Sequence, residues 1–264
     1  MLLEIEDLDV SFRAEDGEIT RAAREIALTL DRGEVLGLVG ESGSGKSSVA
    51  MSIPRLLPSP PAFWPKGRIK FEGRDILKLS VEEMRQLRGR RIGTIFQDPM
   101  GSLSPLHSII DQLVETVLLH ERMSSAAARD LAIEWLGKVG IPDPTERAKA
   151  YPYELSGGMQ QRVMIAMGMM LGPDLVIADE PTTALDVTIQ AQVLKLMKDL
   201  HRANSAILLI THDLGVVSQM ATRLAVMKDG RIIETAEDPQ EFFNHPKEHY
   251  SRSLVNEAMR MELK

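Results

Sequence analysis

Val35-Leu36-Gly37-Leu38-Val39-Gly40-Glu41-Ser42-Gly43-Ser44-Gly45-Lys46-Ser47 is the stretch on which the fold turns. The apolar run 35–39 predicts a short strand buried on both faces, as in a parallel sheet. Directly after it comes G-x-x-x-x-G-K-S, and a helix is predicted to open near Lys46. Glycine lets the backbone wrap so that several N–H groups point inward at phosphate oxygens. The Lys46 ammonium suits the β- and γ-phosphates of a nucleotide, and the Ser47 hydroxyl suits magnesium. Strand, phosphate loop and helix in that order predict an α/β fold.

Working outward, Leu2 to Phe12 alternates apolar and acidic residues and predicts a half-exposed strand. Ile26 to Leu30 predicts another, ending in the turn Asp31-Arg32-Gly33. Downstream, Pro54, Pro58, Pro60, Pro61 and Pro65 predict an irregular surface connection. Arg85, Arg88, Arg90 and Arg91 read as a solvated helix end. Ser124 caps a predicted helix with the apolar face Ala128, Leu131, Ala132, Trp135, Leu136 and Val139, stopped by Gly140. Leu175–Ala178 and Ala206–Ile210 predict two further buried strands. Between them Ile189, Val193, Leu196, Met197 and Leu200 mark the inner face of a helix. Strand–helix–strand units thus flank a helical block over about 99–170.

Two more motifs carry chemistry. Leu175-Val176-Ile177-Ala178-Asp179-Glu180 ends a buried strand in two carboxylates, at the strand end where parallel sheets bind ligands. Asp179 suits magnesium, and Glu180 is placed to take a proton from an attacking water. Leu155-Ser156-Gly157-Gly158-Met159-Gln160 precedes a helix predicted from about Met159 to Met170. Ser156 is a natural N-cap, and the glycines bare the backbone above the helix end, giving a second anion site. The methionines at 159, 164, 167, 169 and 170 have helical spacing and read as core.

Composition narrows the class. The chain has 264 residues, against about 150 per domain, so one large domain or two joined lobes is expected. Cysteine is absent, which excludes disulfides, thiolate metal sites and a cysteine nucleophile. A formal charge of −7 argues against a nucleic-acid partner. The opening MLLEIEDL lacks the basic start of a signal peptide, and no apolar run nears the roughly 18 residues of a membrane span.

Together these motifs resemble the nucleotide-binding subunit of ATP-binding-cassette (ABC) transporters, over essentially the whole chain. Phe12 matches the aromatic that stacks on adenine. Gly40, Glu41, Ser42, Gly43, Ser44, Gly45, Lys46, Ser47 and Ser48 match the loop that binds ATP. Gln97, in Ile95-Phe96-Gln97-Asp98-Pro99, matches the glutamine that touches Mg2+ beside Ser47 and Asp179. Ser156, Gly157 and Gly158 match the signature motif that closes on the γ-phosphate of a facing subunit. Asp186, in Thr183-Ala184-Leu185-Asp186, belongs to the loop that crosses the dimer interface, and His212 matches the switch histidine. Lys46, Glu180 and His212 are the expected catalytic set.

The closer resemblance is to importers of oligopeptides, dipeptides and nickel, whose vocabulary includes LSGGMQQRVMIAM and IADEPTTALDVTIQAQVL. Asn244-His245-Pro246 and Tyr250-Ser251-Arg252 are a looser version of that subfamily's tail motif. Met159 and Ser104 depart from the wider family. With no cysteine, the cysteine-bearing extension of some relatives, which can carry an iron–sulfur cluster, is not expected. The resemblance implies a P-loop NTPase (RecA-like) core with an antiparallel β subdomain and an inserted α-helical subdomain. The core would take about 1–98 and 171–264, and the helical subdomain about 99–170. It implies ATP and Mg2+ as cofactors. The implied partners are a second cassette (a paralogue by analogy with peptide importers, with a homodimer as the alternative), two transmembrane permease subunits and, through them, an extracytoplasmic solute-binding protein. The implied location is peripheral, on the cytoplasmic face of the inner membrane. A soluble ABC ATPase of the repair or translation class is the alternative, but its usual coiled coil, tandem cassettes or zinc insertion are missing.

Overall fold

A computed structural model describes residues 1–183 and 185–262. The strands are β1 (Leu3–Arg13), β2 (Ile19–Leu30), β3 (Val35–Val39), β4 (Ala62–Phe71), β5 (Arg74–Asp75), β6 (Ile92–Ile95), β7 (Leu175–Asp179), β8 (Ala206–Thr211), β9 (Arg223–Lys228) and β10 (Arg231–Ala236). The chain forms two compact units, residues 1–85 with 202–264, and residues 86–201.

In the first unit, β2, β1, β4 and β5 form an antiparallel sheet in that order. Its inner face buries Leu3, Ile5, Leu8 and Val10 of β1. β3 lies parallel to β8 on one side and to β9 on the other, and β10 pairs antiparallel with β9. Every residue of β3 and β8 is buried, as their unbroken apolar runs require.

Two expectations need correction here. The proline-rich stretch is not irregular throughout, because β4 begins at Ala62 and runs through Pro65. Its register against β1 shifts between Glu6 and Asp9 and again between Asp9 and Ser11. Pro65 falls within the second shift, where a residue without an N–H is tolerated. β2 starts at Ile19, seven residues before Ile26, where the predicted strand began. Its early half is mostly exposed, Ala23 excepted, and is reached across three register shifts against β1, so no alternation survives there.

The second unit holds β6 and β7, paired in parallel with Ile92 opposite Leu175 and Ile95 opposite Ala178. Around them run the helices Ile109–Leu118, Ser125–Lys138, Gly157–Met169 and Val187–Leu200. A Cβ on Gly93 would stand 2.1 Å from the Gly168 carbonyl oxygen, so strand and helix approach as only glycine permits. Met164, Met169 and Met170 are buried and Met159 and Met167 half-buried, as the helical spacing predicted. On Val187–Leu200 the buried residues are Val193, Leu194 and Met197, while Ile189, Leu196 and Leu200 are half-buried.

The arginine cluster is not simply solvated. Arg85 does pair with Glu82 at the surface, 3.3 Å away. Arg90, however, bonds the Leu171 carbonyl at 3.0 Å and Glu121 at 2.9 Å, and Arg91 pairs with Asp174. The helix Val81–Leu87 ends before these residues, and the turn into β6 aims them at acids and a carbonyl of their own unit.

Candidate functional site

The phosphate loop leaves the C-terminal end of β3. Val39 stands opposite Thr211 in the parallel ladder, so Gly40 and His212 emerge at the same end of the β3–β8 pair. Gly40, Gly43 and Gly45 take φ values of 151°, 79° and 99°, a region that disfavours side chains. A Cβ on Gly45 would lie 2.1 Å from the Ala22 carbonyl oxygen, and one on Gly40 2.1 Å from that of Met227. Both positions therefore demand glycine twice over, by dihedral and by space.

Lys46 opens the helix Lys46–Ser52 and is only 4% exposed. Its ammonium donates to the carbonyl oxygens of Gly40 at 2.8 Å and Glu41 at 2.7 Å, and to Ser44 Oγ at 3.4 Å. An ammonium this buried gains much by meeting an anion. Ser47 is exposed beside it and Ser48 half-buried, while Glu41, Ser42 and Gly43 form the exposed lip. Phe12 is half-buried in β1, opposite Thr20 of β2 and Ala62 of β4. His212 is exposed just beyond β8, where Asp213 caps the next helix by accepting from the Gly215 N–H at 2.7 Å.

The second unit gathers the carboxylates. Asp179 ends β7 and is 6% exposed. Glu180 follows with φ 46°, a left-handed backbone unusual for a non-glycine residue and frequent at functional turns. Its Oε2 accepts from Gln97 Nε2 at 2.9 Å and from Thr183 Oγ1 at 2.9 Å. Gln97 reaches it because β6 and β7 run parallel in register. Thr183 went unread as a partner of Glu180, although it follows three residues after it, which is one turn away.

Ser156 caps the helix Gly157–Met169, its Oγ accepting from the Met159 N–H at 3.4 Å. Gly157 faces open space, and a Cβ on Gly158 would press on Ile189 at 3.0 Å. Gln160, 4% exposed, ties this helix to the turn before it by donating to the Pro152 and Leu155 carbonyls at 2.8 and 3.2 Å. Asp186 caps Val187–Leu200, accepting from the Ile189 N–H at 3.0 Å. Ala184 of the same motif lies outside the described residues.

Among the described residues no three His, Asp or Glu side chains gather as a metal cage. The hydroxyl of Ser47 and the buried carboxylate of Asp179 are hard oxygen donors. Each by itself is the kind of ligand that Mg2+ takes.

Residues 23–183 match the ABC transporter family. The oligopeptide transport ATP-binding protein OppD of Bacillus subtilis (strain 168) is 50% identical over 255 residues, covering 96% of this chain and 71% of its own. The dipeptide transport ATP-binding protein DppD of the same organism is 47% identical, covering 99% and 78%. Among solved structures, the ATP-binding cassette MJ0796, dimeric in a post-hydrolysis state with ADP and Pi, superposes with a TM-score of 0.79 at 27% identity. That likeness spans 89% of this chain and 98% of the other.

Proposed function

The chain belongs to the ABC transporter family, and from that premise we propose that it is the ATP-hydrolysing subunit of a peptide importer. ATP binding and hydrolysis are the family's chemistry. The finer reading is carried by one observation: the likeness to a peptide-transport ATP-binding protein runs over 96% of the chain, far beyond the nucleotide motifs.

The reaction is in-line attack of water on the γ-phosphate, giving ADP and phosphate. Positioning and charge stabilisation do most of the work in such transfers. Lys46 exchanges loop carbonyls for β- and γ-phosphate oxygens, and the loop N–H groups hold the rest of the chain of phosphates. Phe12 stacks on adenine. Ser47, Asp179 and Gln97 would hold Mg2+, which neutralises phosphate charge when bound. Glu180 takes the proton of the attacking water, and Gln97 and Thr183 hold its carboxylate in place. His212 contacts the γ-phosphate. Ser156, Gly157 and Gly158 complete the site of a facing cassette, with Asp186 at the crossing between the two. ATP binding closes the pair and hydrolysis releases it.

The facing cassette is a paralogue or a second copy of this chain, with two permease subunits beneath and a solute-binding protein outside. No helix among the described residues is long and apolar enough to cross a membrane. In this reading, attachment to the cytoplasmic face runs through the permeases. The test is reconstitution in vesicles with the permeases, the second cassette and a peptide-loaded binding protein. Peptide should stimulate hydrolysis and accumulate inside. An assembled complex that hydrolyses ATP without moving peptide would overturn the peptide reading. A chain that never joins membrane subunits would overturn the transporter reading.

A further inference from the structure

The tail motif of the sequence, Tyr250-Ser251-Arg252, has no part in the chemistry above, yet it reaches the phosphate loop. Two helices make the tail, Pro239–Asn244 and His249–Glu262. Phe242 and Val255 are buried against Val39, the last residue of β3 before the loop, and against Leu214 and Val226. Glu234 of β10 fixes the start of the last helix. Its two carboxylate oxygens accept from the Lys247 and Glu248 N–H groups, at 2.9 Å each. The Lys228 ammonium lies 4.7 Å from the Tyr250 ring centroid. Held on these sides, the Tyr250 hydroxyl accepts from the Glu41 N–H at 3.0 Å.

That N–H belongs to the same peptide group as the Gly40 carbonyl. The N–H and C=O bonds of a planar trans peptide point in opposite directions, so fixing one fixes the other. At the far end of this peptide, the Gly40 oxygen receives the Lys46 ammonium at 2.8 Å. The peptide is thus pinned at both ends, by Tyr250 on its N–H and by Lys46 on its C=O. Rotation is hindered further by the Met227 carbonyl, against which Gly40 packs too closely for a Cβ. Burial raises the Tyr250 pKa, so the hydroxyl stays protonated at neutral pH.

We propose that Tyr250 is a positioning residue for nucleotide binding, which sets the Gly40–Glu41 peptide and through it the resting place of Lys46. The proposal rests on reading the loop as a nucleotide site. A loop held near its binding shape gives up less freedom when phosphate arrives. Losing one hydrogen bond of this kind should weaken binding about fivefold.

Tyr250→Phe in the full chain removes the hydroxyl and keeps the ring over Lys228. Three readouts are needed: titration with a fluorescent ATP analogue, hydrogen exchange at the Glu41 amide, and thermal melting. We expect binding about fivefold weaker, faster exchange at Glu41 and a melting temperature lower by no more than a few degrees. In the assembled transporter KM for ATP should rise more than kcat falls. Parent-like affinity overturns the proposal, and so does weaker binding with Glu41 exchange unchanged. A parent chain that binds no nucleotide overturns both readings, whereas a binding parent with an equal variant overturns only this one.

Discussion

Glu180 shows how a single side chain can be legible in kind and hidden in setting. Two carboxylates after four apolar residues mark a strand end, and that much needs no structure. Its hold does, since Gln97 lies 83 residues away and meets Glu180 only because β6 and β7 pair in register. The left-handed φ of 46° is equally invisible in sequence, where glycine is the usual sign of such a turn. The role as general base predicts that Glu180→Gln binds ATP as the parent does while turnover falls by about 10²–10⁴. Full hydrolysis by this variant, measured as phosphate release, would remove Glu180 from the mechanism. Lys46→Ala should act differently, by weakening nucleotide binding and abolishing hydrolysis. Gly45→Ala should share that phenotype without altering a charge, because its Cβ would strike the Ala22 carbonyl. An alanine variant at 45 that titrates with nucleotide like the parent would show the loop to be more pliable than its dihedrals imply.

Elements were legible wherever a local rule decides them. Ser124 and Ser156 cap the helices that their positions predicted. β3 and β8 follow from uninterrupted apolar runs. β4 and the first half of β2 were missed because bulges against β1 override both the proline rule and the alternation rule. Such shifts depend on a partner strand and leave no periodic trace. The attachment of the last helix is another tertiary matter, and it carries a pH dependence. Burial raises the Glu234 pKa, but the Ser251 hydroxyl and the N–H groups of Lys247 and Glu248 outweigh it and hold the carboxyl below its ordinary value. A depressed folded pKa means stability that is present above the unfolded carboxylate value and lost as pH falls through the folded one. Glu234→Gln should therefore melt below the parent at about pH 6, by a few degrees for a loss of about 1–3 kcal/mol. The gap should close as both are taken to lower pH, through the Glu234 carboxylate range. A gap that persists undiminished in acid would mean that Glu234 acts through shape and not through charge.

At the scale of the whole molecule, the two anion-binding motifs raise the question of assembly. Lys46 and Ser156 belong to different units of one chain, and the proposed mechanism has each serve a different nucleotide. The spacing of motifs could suggest this pairing, but the surfaces that meet belong partly to another chain and so are not written in this sequence. Ser156→Arg should leave ATP binding to the isolated chain nearly unchanged, because Ser156 serves its neighbour's nucleotide, and should block hydrolysis in the pair. Where the facing cassette is a second copy of this chain, a mixed pair of differently tagged copies separates the cases. With Lys46→Ala on one copy and Ser156→Arg on the other, both changes fall on one shared site, and the second site stays whole. With both changes on one copy, its own loop is lost and its neighbour's site is also blocked, so no intact site remains. Counting nucleotide trapped per pair by a transition-state analogue such as vanadate distinguishes one surviving site from none. Equal trapping in the two arrangements would refute shared sites. So would a hydrolysis rate per molecule that is independent of dilution and indifferent to Ser156→Arg, since only a self-sufficient monomer behaves in that way.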